Sequence, residues 1–450
     1  MKQQLRRVQS LLGIDGAISY TILGKGVGAI VTVFTVFFIA RFLSPSEQGY
    51  YYTFGSLLSI QIFFELGLNN IITQFVAHEF SYLSITDDYL SGPIRNQSRL
   101  AYLLRFCIKW YMFFAIVMMF ILIIAGVWFF QRNENTTDVT WAWPWILLVI
   151  ATVVNFLTSP INSFVQGLGK VKEIAAIRFW QQVVNPIVVW GGLMIGAKLY
   201  VSALHVILVV VVNVYFYYKY SFIKILYNIL KVKITETVNY LVEIFPFQWK
   251  IALSWISGFF TFQLFNPVLF ASEGAVAAGK MGMTISAASA IQGVLLSWIN
   301  TKVPLLSGLI EQKQYCELES VFNANLKRMI WLGVLLYILF FILIFVFQYS
   351  EGYLLEFGQR FLEMKPLVIM SIAIGLQVPV TAWATYLRCF LKEPFLVNSV
   401  TLGVMSLLSA LILGSYYGTM GLSWGYLTIQ IISVFWAYYI YKTKKIEYQK

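Results

Sequence analysis

Charge is what this sequence has least of. Asp and Glu together number 20 and Lys and Arg 32 in 450 residues, so 12% of the chain is charged, about half the roughly 25% of a soluble globular protein. With 59% of its residues hydrophobic, the chain has too little polar surface to cover a soluble fold of this size. The class that remains is a polytopic membrane protein. Histidine is scarcer still: His78 and His205 have no partner at catalytic or metal-ligand spacing. Cys107, Cys316 and Cys389 are odd in number and far apart, a pattern that is neither a disulfide framework nor a metal site. There is no phosphate loop, dinucleotide fingerprint or nucleophile elbow. The sequence therefore calls for no enzyme chemistry, no metal and no cofactor. Its net charge of +12 is read as a topology signal, with no nucleic-acid partner.

What is present is apolar sequence in lengths of roughly 20 residues, enough to cross a bilayer as helix. Twelve such stretches lie near residues 17–40, 50–76, 106–130, 144–168, 174–197, 199–218, 251–271, 281–309, 329–348, 366–387, 396–414 and 420–441. The first follows a basic leader with Lys2, Arg6 and Arg7 and is too long for the core of a cleaved signal peptide, so it is expected to remain as a helix. Alternate connections together with the two termini collect 24 of the 32 Lys and Arg, while only Arg41, Arg132, Lys198, Lys280, Arg360 and Lys365 fall on the other side. Positive residues stay inside, which places both termini in the cytoplasm.

The long connection after the sixth stretch divides six helices from six. The expected organisation is all-α, with an N-terminal six-helix bundle over 1–220, a cytoplasmic linker over 221–249 and a C-terminal six-helix bundle over 250–450. Ile223 to Phe247 reads as an amphipathic segment lying on the membrane surface. A parallel repeat is suggested by Pro160 followed by Lys172-Glu173 in the first half and Pro379 followed by Lys392-Glu393 in the second.

Four helices carry polar residues at helical spacing: Gln61, Glu65 and Asn69; Asn155, Ser159, Asn162 and Gln166; Arg178, Gln181, Gln182 and Asn185; and Gln377, Thr381, Thr385 and Arg388. Spacings of three and four put most of each set on one face, which lines either a helix contact or a watery cavity. Lys25 and Glu65 fall inside the first two stretches, at depths of roughly 12 and 16 Å at about 1.5 Å per residue, which would permit an ion pair. Lys302 falls inside the eighth stretch. The lysines have snorkelling as an alternative and Arg178 a topology role, whereas a short glutamate cannot reach the interface as easily. Helix breaks are expected at Gly24, Gly26 and Gly28 around Lys25, and at Pro186, Pro267 and Pro304.

The run Ala40-Arg-Phe-Leu-Ser-Pro-Ser-Glu-Gln-Gly-Tyr-Tyr51, with Glu65-Leu-Gly-Leu68 and Phe164-Val-Gln-Gly-Leu-Gly-Lys-Val-Lys172, resembles bacterial polysaccharide exporters of the O-antigen flippase type. These belong to the superfamily that also holds multidrug extruders and the lipid II flippase. The second half matches this pattern weakly. The resemblance implies a V-shaped pair of bundles in the bacterial inner membrane. These would carry an undecaprenyl-diphosphate-linked oligosaccharide between leaflets by alternating access, driven by a proton or sodium gradient or the membrane potential. Mapped here, Lys25, Lys302 and Arg178 would meet the diphosphate and Glu65 would hold or release a lysine. Asn155, Asn162, Gln181, Asn185 and Gln377 would meet sugar hydroxyls. Membrane lipids, a polysaccharide polymerase and chain-length proteins would be its partners. A cation-coupled drug extruder of the same fold, or a membrane glycan polymerase or ligase, is the alternative, and the short outer loops count against the enzyme.

Overall fold

The computed structural model describes residues 28, 31–133, 139–390, 392 and 394–449. In chain order the helices are α1 Val31–Phe42, α2 Pro45–Leu58, α3 Ile62–Glu65, α4 Leu68–Phe80, α5 Ile94–Arg132, α6 Ala142–Gly167, α7 Val171–Met194, α8 Tyr200–Lys219 and α9 Phe222–Lys231. They continue with α10 Phe245–Phe262, α11 Phe265–Glu273, α12 Ala275–Asn300, α13 Val303–Glu311, α14 Tyr315–Gln348, α15 Tyr353–Gly358, α16 Met364–Arg388, α17 Leu396–Ser409 and α18 Ser415–Gln449. A hairpin, β1 Ser84–Thr86 and β2 Tyr89–Ser91, turns through Asp87 and Asp88, both at positive φ as a two-residue turn requires.

The chain is an all-α polytopic membrane protein. Among the described residues eight helical segments are long and apolar enough to cross a membrane, or nine if the bent pair Pro45–Glu65 and Leu68–Phe80 is one span. Among the described residues each of the twelve expected stretches carries helix, and the difference in count has three sources. α1 is short within the described residues. α7 is diluted by Arg178, Gln181, Gln182 and Asn185. The last two stretches run together as Leu396–Gln449 and are separated by a kink at Gly418, where φ is 56° and ψ −138°.

The motif after the first helix has a local structural explanation. Ser44 and Glu47 form a capping box: the Glu47 amide donates to Ser44 Oγ at 3.1 Å and the Ser44 amide to Glu47 Oε2 at 2.8 Å. Pro45, with no N–H to satisfy, takes the first turn of α2. Gln48 is then buried and donates through Nε2 to the carbonyls of Gly279 (2.8 Å) and Arg360 (3.1 Å). At Gly49 a Cβ would overlap the Ala275 carbonyl. Cap, clamp and close approach fix α2 against α12.

The breaks fall partly where proline foretold them. α11 begins at Phe265 just ahead of Pro267, and α13 begins at Val303 after a turn that contains Lys302. Pro160, Pro186 and Pro379 stay inside continuous helices, so the break expected at Pro186 does not occur. An unforeseen break lies between α3 and α4, where Leu66 (φ 47°) and Gly67 (φ 68°) are both left-handed and the axis turns by 42°. Only glycine takes such a conformation at no steric cost, and here a Cβ on Gly67 would also meet the Ile251 side chain. Within the stretch 223–247, expected to be amphipathic, α9 buries Phe222, Ile225 and Ile229, turns Ile223, Lys224 and Tyr227 outward and ends at Lys231.

Two compact units result. One holds Ile60–Phe130 and Thr140–Trp255, the other Gly28–Ser59, Gln131–Val139 and Ile256–Lys450. The first is built on α6, which packs against α4 and α8; the second on α12, α16 and α18.

Candidate functional site

In the first unit α6 is polar towards two neighbours. Towards α4, Ser159 Oγ accepts from Asn69 Nδ2 at 2.6 Å, and the Ser163 carbonyl accepts from Thr73 Oγ1 at 3.1 Å. Asn69 also donates to Glu65 Oε2 at 3.2 Å and accepts from the buried Tyr111 hydroxyl at 2.8 Å. Because Glu65 closes α3 and Asn69 lies in the first turn of α4, the Leu66–Gly67 break brings carboxylate and amide together across the bend. The half-buried Glu65 thus sits at a helix break, beside a hub of three neutral hydrogen-bonding groups.

Towards α8, Asn213 is the centre. Its amide donates to Thr158 Oγ1 at 3.1 Å, and its carbonyl oxygen accepts from Gln181 at 3.0 Å and from Asn162 at 3.4 Å. The Tyr217 hydroxyl donates to Asn162 Oδ1 at 2.9 Å, and Thr158 donates to the Asn155 carbonyl at 2.8 Å. Asn185 lies 3.5 Å from His205, with its Oδ1 buried and unpartnered. Near one end of α7, the exposed Arg178 donates to Gln166 Oε1 at 3.2 Å. Asn162 and Gln181 are therefore brought together on Asn213, with hydrogen bonds that run between helices, whereas Asn155 bonds only to Thr158 within its own helix.

At the edge of this unit a second polar cluster holds the linker. Glu79, 4% exposed, accepts from Asn96 at 2.7 Å and from Arg99 Nε at 2.8 Å, and Arg99 bridges on to Glu243. Burial raises the Glu243 carboxyl, but the hydrogen bond and charge of Arg99 outweigh it, and the group sits below its ordinary value. Ser98 Oγ accepts from the amides of Thr235 (2.7 Å) and Glu236 (2.9 Å), and Arg105 donates to the carbonyls of Leu230 and Val232. Residues 230–243 are thereby fastened along the first turns of α5.

In the second unit the buried Gln377 donates to the buried Tyr426 hydroxyl and accepts from the half-buried Gln292 at 3.2 Å. Lys302 is exposed in the turn ahead of α13, not inside a continuous helix. Lys25 lies outside the described residues, and with it the expected pairing to Glu65 and the expected break at Gly24 and Gly26.

Tyr111, Asn213 and Tyr217 are participants that periodicity did not single out. Asn213 left a trace, since it is a lone amide in the valine-rich run Ile207-Leu-Val-Val-Val-Val-Asn213, and a polar side chain alone in such a run must find a partner. The tyrosines left none, because their rings read as ordinary apolar residues.

Solved structures answer the question of fold. Over 93% of this chain and 95% of its own, a multidrug resistance MATE family transporter of the MOP superfamily, in an inward-facing conformation, superposes with a TM-score of 0.63 at 12% identity. The lipid II flippase MurJ in an inward closed conformation does so with a TM-score of 0.64 at 13% identity, over 94% of this chain and 87% of its own. The fold is that of the MOP superfamily transporters. A MOP superfamily transporter from Pyrococcus furiosus has the same fold, with a TM-score of 0.53 at 13% identity over 97% of this chain and 98% of its own. No family model matches the sequence, and no curated protein matches it.

Proposed function

We propose that this chain is a flippase for a lipid-linked oligosaccharide. It would move an undecaprenyl-diphosphate-linked repeat unit from the cytoplasmic to the periplasmic leaflet of a bacterial inner membrane by alternating access, with both termini cytoplasmic. The observation that carries the reading is the polar set of the first unit: Asn69, Asn155, Asn162, Gln181, Asn185 and Asn213 with Tyr111, Tyr217, Thr158 and Ser159. Amides and hydroxyls that already exchange hydrogen bonds with one another can exchange them with sugar hydroxyls at little net cost, because each bond lost is replaced by one of the same kind. Lys302 and Arg178, both exposed, supply cations for a diphosphate, and Lys25 is assigned to the same task. Phosphate binding by such groups is charge-assisted and stronger than neutral hydrogen bonding.

A second reading has its own observation. Glu65 is a carboxylate joined to that polar set through Asn69, and an acid beside amides also suits an organic cation in a cation-coupled drug extruder. The two readings separate in cells. Deletion of the gene, and the variants Glu65→Ala and Lys302→Ala at normal protein level, are expected to accumulate single unpolymerised glycan units on their lipid carrier at the inner leaflet. Normal surface polysaccharide together with raised sensitivity to cationic drugs would reject the flippase in favour of the extruder.

A further inference from the structure

In the first unit α7 and α8 meet through two polar steps of one antiparallel register. At the first, the Gln181 amide donates to the Val209 carbonyl at 3.4 Å and to Asn213 at 3.0 Å. One turn on along α7 and one turn back along α8, Asn185 Nδ2 lies 3.5 Å from His205 Nε2. His205 stands exposed in the second turn of α8, inside the apolar run Ala203-Leu-His-Val-Ile-Leu208. On α7 the exposed Arg178 and Gln182 share a face with Asn185, at spacings of four and three residues. Exposed polar groups gathered on one side of two otherwise apolar helices avoid hydrocarbon, so this stripe faces water or a polar ligand.

The Asn185–His205 step lacks a donor. Asn185 Oδ1 is buried and has no hydrogen-bond partner. A neutral imidazole uses Nε2 to accept from Nδ2 and leaves that oxygen unsatisfied. A protonated imidazole donates from both ring nitrogens, and a turned amide then offers it Oδ1. The step also lacks a counter-charge. Among the described residues α6 carries no titratable group, and the one carboxylate of α7, Glu173, is in its first turn, three turns from Asn185. Arg178 is two turns from Asn185, so the nearest charge on α7 is a cation. α8 has Tyr200 ahead of His205, after Lys198 in the preceding turn, and Tyr215, Tyr217, Tyr218 and Lys219 in its last turns. α9, with Lys224, Tyr227 and Lys231 but no acid, follows the far end of α8. A charged His205 would therefore be a second cation beside Arg178 with no carboxylate to neutralise it, and an arriving anion supplies what is missing.

We infer that His205 takes up a proton when the esterified diphosphate of the lipid carrier occupies this stripe, so that carrier and proton bind together. The inference rests on the flippase reading and gives its head-group site a proton-linked residue. Both phosphates of a sugar-linked diphosphate are diesters, which keep their charge across the range in which histidine titrates, so a pH response of binding belongs to the protein.

The test measures binding of undecaprenyl-diphospho-N-acetylglucosamine to the purified full chain in nanodiscs of phosphatidylcholine. Wild type is expected to bind about tenfold more tightly at about pH 5.5 than at about pH 7.5, since affinity is lost as the proton leaves. His205→Gln should bind weakly at both values and His205→Arg tightly at both. His78→Gln, which changes an exposed histidine of α4, should behave as wild type. If wild-type affinity is the same at both values, or if either His205 variant keeps the wild-type response, the proton is not on His205 and the inference is wrong while the flippase reading stands. If phosphatidylglycerol displaces the probe at equal concentration with the same pH response, the stripe is a site for bilayer phosphodiesters and the assignment to the carrier falls. If wild type does not bind the probe at either value, the flippase reading fails first and this inference with it.

Discussion

Asn69 shows how much one side chain holds in place: its amide reaches Glu65 and Ser159 while its carbonyl oxygen takes the Tyr111 hydroxyl. Replacing it with leucine orphans the buried Tyr111 hydroxyl, so Asn69→Leu should cost about 1–3 kcal/mol in thermal or denaturant unfolding of the purified protein. A loss confined to transport, with unchanged stability, would mean that Tyr111 finds another partner. Glycines in α2 give a sharper contrast. Gly49→Ala drives a methyl into the Ala275 carbonyl, which belongs to backbone and cannot swing aside, and should destabilise by about 1–3 kcal/mol. Gly55→Ala, in the same helix with no atom in the way, should gain about 0.5–1 kcal/mol from helix propensity. Equal effects at the two positions would remove the case for close packing of α2 on α12.

Among elements, the linker after α9 carries the clearest electrostatic prediction. Arg95 and Glu236 pair at 2.9 Å but are 70% and 46% exposed, and such a pair contributes about 0–1 kcal/mol. Arg99 bridges Glu79, 4% exposed, to Glu243, and its removal leaves a buried carboxylate without its cation. Arg99→Ala should therefore cost about 3 kcal/mol or more, and Arg95→Ala under about 1 kcal/mol, in unfolding of the purified protein. The same latch should respond to acid. Glu243 is held below its ordinary carboxylate value, so its contribution is complete above that value and is lost as pH falls through the lower, folded one. Amide exchange over residues 232–244 should accelerate on acidification below the ordinary carboxylate range. In Glu243→Gln it should be faster at neutral pH and lose that acid response.

For the whole molecule, the accumulation of lipid-linked glycan in Glu65→Ala and Lys302→Ala cells is the measurement that decides what the fold is used for. MATE and MurJ structures share that fold at 12% and 13% identity, so architecture alone leaves the cargo open. Much of the architecture was legible in the chain because hydrocarbon imposes a strong rule: each backbone polar group must be bonded within its own helix, and each helix must be long and apolar enough. Among the described residues each of the twelve stretches carries helix, and proline marked the breaks ahead of α11 and at α13. The break at Leu66–Gly67 was not legible, because a lone Gly in a membrane helix is ordinary and only contact with Ile251 gives it meaning. Polar spacing on α6 was visible, but its division between α4 and α8 was not, since one helix face can serve two neighbours.

The sequence by itself determined the solvent this protein lives in, its helical class and which residues are polar within apolar stretches, because these follow from composition and local periodicity. Tertiary structure decided what those residues touch. It spent Asn162 and Gln181 on Asn213, gave Glu65 an amide neighbour across a bend, and turned the Ser44–Gly49 motif into a cap and clamp. Each of these depends on a partner distant in sequence, and no local pattern carries the address of a distant partner.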